Sequence, residues 1–143
     1  MPSQVIIFST DSLRGGIIQE VLKRSGLESL LAGRVLEAGQ AIVDNAPRVV
    51  IFDTKGIFPD EINLLKNLCH ALRDTGVLVL GDRSIVDTFS GEGIQNGLCL
   101  SDPLDPDLIA SKVKQMILSP KTKEKPLQRD DLESDLKQFL KLD

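Results

Sequence analysis

Asp53 is the residue best placed to do chemistry. It closes the unbroken apolar run Val49-Val50-Ile51-Phe52, which Pro47 precedes and Thr54-Lys55-Gly56 follows. A short apolar run bounded by turn residues reads as a strand buried on both faces. Its carboxyl end is the edge where open α/β sheets hold their ligands. Three other segments end at comparable points: Ser9-Thr10-Asp11 after Val5–Phe8, Gly81-Asp82 after Val77–Leu80, and Asp102-Pro103 after Leu98–Leu100. Ser9 and Thr10 offer neutral oxygens, so any divalent ion would have to draw on Asp11 and Asp53. Asp11 reaches that position only if its loop bends inward. No complete catalytic set surrounds Asp53, and the chain is not expected to be an enzyme.

The remaining reactive side chains are few. His70 is the only histidine and reads as a helix-surface residue rather than a base or ligand. Cys69 and Cys99 lie far apart and outside any Cys-x-x-Cys, as two reduced, buried thiols would. With no Trp or Tyr and five Phe, the chain offers little for stacking on a flavin or on bases. Seventeen basic against 21 acidic residues argue against nucleic-acid binding, which usually shows a basic patch. No apolar run approaches the roughly 20 residues of a membrane span. No signal peptide opens the chain, and a cytoplasmic protein is expected.

The elements that must position Asp53 alternate regularly along a length suited to one core. Val5–Phe8 is the first strand. Ser9 to Ser12 supplies residues that favour a helix N-cap, Leu13, Ile17, Ile18, Val21 and Leu22 follow at helical spacing, and Gly26 ends the run. The Gly15-Gly16 pair reads as tolerated within this helix rather than as a close approach. Leu30–Ala32 forms a second strand and Val35 to Ala46 a second helix. Pro59 opens a third helix, with Gly76 expected to close it, and Val77–Leu80 is the fourth strand. Ser84 is expected to cap a short helix running to Phe89. Leu98–Leu100 is the fifth strand, before a helix marked by Ile109, Val113, Met116 and Ile117. Five strand–helix repeats imply a flavodoxin-like, three-layer α/β/α fold with a five-stranded parallel sheet in the order 2-1-3-4-5.

Residues 1–119 form this domain in the sequence reading, and 120–143 a linker with a short amphipathic helix. Leu132, Leu136, Phe139 and Leu140 give that helix an apolar stripe too short to be stable alone in water. It packs back on its own domain or on a partner. No output domain is expected after it, so any effect passes through contact with another molecule.

Over residues 4 to 118 the chain resembles a response-regulator receiver domain. The resemblance rests on Ser9-Thr10 ending strand one, Asp53 ending strand three, Gly81 ending strand four, and Asp102-Pro103 after strand five. It implies that Asp53 matches the aspartate that accepts a phosphoryl group from a histidine kinase. It also exposes departures. Ser9 and Thr10 stand where an acidic pair binds Mg²⁺, with Asp11 one place on. Gly81 replaces a Ser or Thr, Asp102 replaces a lysine while Pro103 is kept, and Cys99 occupies the place of a switch aromatic. Phosphoryl transfer depends on positioning and on neutralisation by metal and cations. Asp102 is expected to repel charge at Asp53 instead.

The leading expectation is a pseudo-receiver: a signalling interaction module that works without phosphorylation and without a cofactor. Its partner would be another signalling protein, such as a histidine kinase or an output protein, or a second copy in a homodimer. The resemblance assigns the contact to helix four, strand five and helix five. The alternative is a working phosphoacceptor at Asp53 with Mg²⁺. A third reading is an FMN or nucleotide binder using the Ser9–Arg14 turn, where a helix N-terminus attracts anions.

Overall fold

A computed structural model describes residues 4–94 and 96–118. The expected linker and helix of residues 120–143 lie outside them. The described residues form five strands and five helices in strict alternation: β1 Val5–Ser9, α1 Ser12–Arg24, β2 Ser29–Ala32, α2 Val35–Asn45, β3 Val49–Asp53, α3 Pro59–Ala71, β4 Gly76–Gly81, α4 Arg83–Ser90, β5 Gly97–Ser101 and α5 Pro106–Leu118. All strand pairs are parallel and the order is β2-β1-β3-β4-β5, as the alternation predicted.

The unbroken apolar runs became the inner strands because each must bury both faces. All five residues of β1 and of β3 are buried. The edge strands β2 and β5 are partly exposed, so their apolar runs are shorter. Side chains alternate between faces along a strand. Ile6, Phe8, Val50, Phe52, Val77 and Val79 pack under α2, α3 and α4. Val5, Ile7, Val49, Ile51, Leu78 and Leu80 pack under α1 and α5. Ser9 and Asp53 continue the second set, so both point towards the α1 side. They are also register partners, Ser9 opposite Asp53.

Three local expectations are corrected. Gly76 does not end α3: the helix stops at Ala71 with Leu72 as its cap, and Gly76 opens β4. A Cβ there would sit 3.0 Å from Met116 Cε, so the glycine answers to packing from α5. Ser84 does not cap α4, since Asp82 is its N-cap and Ser84 lies inside the helix. Gly15 is a close approach and not a tolerated residue: an added Cβ would come within 2.6 Å of Leu31 Cδ1 and 3.3 Å of Ser9 Cβ. Gly16, by contrast, faces open space. Among the described residues no helix is long and apolar enough to cross a membrane.

Candidate functional site at the carboxyl edge of the sheet

Asp53 is fully buried, and both of its oxygens are occupied. Oδ2 accepts from Ser9 Oγ at 2.9 Å and from Arg14 Nε at 2.9 Å. Oδ1 accepts from Arg14 Nη2 at 2.9 Å and from the Lys55 backbone N–H at 3.2 Å. The guanidinium therefore grips the carboxylate with both prongs of its fork, the strongest geometry for such a pair. Arg14 Nη2 also donates to Asp102 Oδ1 at 2.9 Å. The hydrogen bonds to Asp53, and then those to Asp102, raise the Arg14 guanidinium above its ordinary range against the opposing effect of burial.

The fold explains how Arg14 arrives there. Arg14, Ile18 and Leu22 stand at i, i+4 and i+8 on α1, the stripe that meets the sheet. The missing side chain at Gly15 lets the first turn of this helix lie against Ser9 and Leu31. Asp11 anchors the turn from outside. As N-cap its Oδ1 accepts from the Leu13 and Arg14 amides at 3.0 and 3.2 Å, so its carboxylate serves the helix terminus instead of reaching towards Asp53.

A second cation extends the cluster. Lys55 Nζ lies 3.2 Å from Asp82 Oδ1 and 3.8 Å from Asp102 Oδ2, an oxygen that is buried without a hydrogen bond. Thr10 Oγ1 donates to the Lys55 carbonyl at 3.1 Å, not to Asp53. At the end of β4, Gly81 has φ +148, and a Cβ there would collide with Thr54 Oγ1, which donates to the Leu80 carbonyl. The hydroxyl at this corner thus comes from the residue after Asp53. The Asp102–Pro103 peptide is cis. Cys99, half-buried on β5, lines a groove of about 250 Å³ with Leu80, Asp102, Leu104, Leu108 and Ile109.

No protein-family model matches the chain, and no curated protein matches it in sequence. Solved structures do match. A protein of Chloroflexus aurantiacus described as a response regulator is 25% identical, with a TM-score of 0.65 over 82% of this chain and 99% of that one. The signal receiver domain of a response regulator from Bermanella marisrubri is 17% identical, with a TM-score of 0.68 over 82% and 99%. The beryllofluoride-activated NtrC4 receiver domain dimer is 16% identical, with a TM-score of 0.63 over 78% and 93%. The chain has the receiver-domain fold.

Within that fold the sequence reading named Ser9, Thr10, Asp11, Asp53, Gly81, Asp102 and Pro103, and the structure places all of them at one sheet edge. Ser9, Asp53 and Asp102 meet around one guanidinium, whereas Asp11 and Thr10 are engaged elsewhere. Arg14 was not among those candidates. Its signal was present, because the α1 periodicity puts it one turn before Ile18 on the covered stripe. The expected repulsion between Asp102 and Asp53 is corrected too, for Arg14 stands between them.

A receiver fold implies Mg²⁺ at this edge, and these residues do not fit it. Ser9 and Thr10 bring neutral oxygens, Asp11 is tied to helix amides, and Asp53 is already paired with a cation. Among the described residues, no group of three or more His, Cys, Asp or Glu could hold a metal ion.

Proposed function

We propose that this receiver-fold domain is a signal-transduction interaction module that works without phosphorylation of Asp53. One observation carries the reading: both oxygens of Asp53 are held by Arg14. A carboxylate oxygen must have a free lone pair aimed at phosphorus to accept a phosphoryl group. Here that would require breaking a buried bidentate pair, at a cost on the order of 3–5 kcal/mol. Asp102 adds a negative charge where a lysine would steady the transferred group. Asp53 is therefore a structural anchor, and the pocket residues around it hold its loops.

The contact surface in this reading is α4, β5 and α5, and the partner is another signalling protein. The partly exposed edge strand β5 supports this, as do the groove beside it and Leu108, which is 39% exposed. The decisive experiment is intact-mass measurement after incubation with acetyl phosphate and Mg²⁺. No species heavier by about 80 daltons, one phosphoryl group, is expected. A gain that disappears in Asp53→Asn would establish the phosphoacceptor instead.

A further inference from the structure

We propose that Arg14, with Lys55 behind it, is a tethered counter-ion. The pair does permanently the electrostatic work that a bound divalent ion would do at this edge. The inference rests on the reading that Asp53 is a structural anchor, and it adds what that anchor is for.

The charges support it. Arg14 and Lys55 bring two positive charges, the charge of one divalent ion, to the three carboxylates Asp53, Asp82 and Asp102. The geometry supports it as well. Asp53 Oδ1 and Asp102 Oδ1 both lie 2.9 Å from the same nitrogen, Arg14 Nη2, so one positive centre bridges two loops as a metal would. An arginine is charged at every pH the fold survives and cannot dissociate from its own helix. The ends of β3 and β5 are thus joined to α1 by a cation that needs no supply from solution, and Lys55 links the end of β4 to Asp102. Such an edge has one arrangement, independent of ion concentration.

The test compares melting of the wild type and Arg14→Met, each with about 10 mM CaCl₂ or MgCl₂ and with sodium chloride at equal ionic strength. The wild type is expected to shift by less than about 1 °C between divalent and sodium salts. Arg14→Met, with its two carboxylates uncovered, should melt about 10 °C lower and regain at least about 3 °C with a divalent ion. Ca²⁺ should serve better than Mg²⁺, because its longer bonds, about 2.3–2.6 Å, span the two loops with less movement. Adding Asp102→Asn should remove the regained stability.

Divalent stabilisation of the wild type would overturn the inference. So would Arg14→Met gaining nothing from divalent ions, or remaining unfolded in their presence. Phosphorylation of wild-type Asp53 would instead overturn the proposed function and leave these melting results standing, so the two failures are separately visible.

Discussion

Removing the Arg14–Asp53 pair one partner at a time, and then together, measures how much the site depends on it. Arg14→Met leaves a fully buried carboxylate with only Ser9 Oγ and the Lys55 amide for partners. Stranding a buried charge in this way costs about 3–5 kcal/mol. The arm to Asp102 adds less, because Asp102 keeps Lys55 Nζ 3.8 Å from its other oxygen when Arg14 is removed. Asp53→Leu should cost less, about 1–3 kcal/mol, since the guanidinium keeps Asp102 and some access to water. The double variant should cost about as much as Asp53→Leu alone, giving a coupling equal to the Arg14→Met loss, about 3–5 kcal/mol. Urea unfolding followed by circular dichroism is the assay. With a slope of about 2 kcal/mol/M, the Arg14→Met midpoint should fall by roughly 1.5–2.5 M. Single-variant losses that add to within about 0.5 kcal/mol would refute the pairing.

Asp102→Lys, which restores the lysine of the family pattern, should be destabilising by about 1–3 kcal/mol because it places a cation against Arg14; combining it with Arg14→Met should recover most of that loss, read from the same urea midpoints. Gly81→Ser, which restores the hydroxyl, should cost more than about 2 kcal/mol, because the backbone is left-handed there and Thr54 Oγ1 fills the space; unchanged stability would sink that account. The Glu92 carboxyl should titrate below the usual glutamate range, chiefly through its contact with His70 at 3.1 Å and then Lys66 at 3.4 Å. A lowered folded value stabilises at higher pH, and this contribution is lost as pH falls below about 4.3, the ordinary glutamate value. Carbon NMR should show the Glu92 midpoint move up in His70→Gln. Burial pushes the Cys69 thiol up strongly, and the Cys99 thiol up as well, so native alkylation should be slow at both and slower at Cys69; equal rates by peptide mass spectrometry would contradict this.

The sheet was legible because central parallel strands have no polar face. Val5–Phe8, Val49–Phe52 and Val77–Leu80 are apolar at every position, and nothing else in the chain looks like them. Strand order then follows from right-handed crossovers. Individual glycines were harder to read, since a glycine that ends a helix and one that makes room for a neighbour are the same letter. Gly26, with φ +81, ends α1 as expected, whereas Gly76 yields to Met116 and Gly15 to Leu31. The gathering of Ser9, Asp53 and Asp102 at one edge was also legible, from the ends of their strands. The pairing of Arg14 has its ingredients in the sequence but not its reach. Ser9 and Asp53 share the face of Ile7 and Ile51, and α1 covers that face, so a cation one turn before Ile18 has Asp53 within reach. What no pattern gives is the length of the reach, which depends on Gly15 letting the helix close on the sheet.

The departures from the receiver pattern make physical sense only together. Asp102 alone would set a second carboxylate against the buried Asp53, and like charges so placed repel. Arg14 alone, beside a lysine at position 102 and an acidic pair at 9 and 10, would trade one repulsion for another. Ser9 as a neutral donor leaves Asp53 Oδ2 room for both its own hydroxyl and Arg14 Nε. With Ser9, Arg14, Lys55 and Asp102 all present, each charge in the cluster faces an opposite one, and the cation at its centre is part of the chain. In the proposed reading, Arg14 and Lys55 supply from within the chain the two positive charges that one divalent ion would bring to Asp53, Asp82 and Asp102. A phosphoryl group on Asp53 would add negative charge where Arg14 already bridges Asp53 and Asp102, so the proposed function predicts that it would have to displace one of them from that guanidinium.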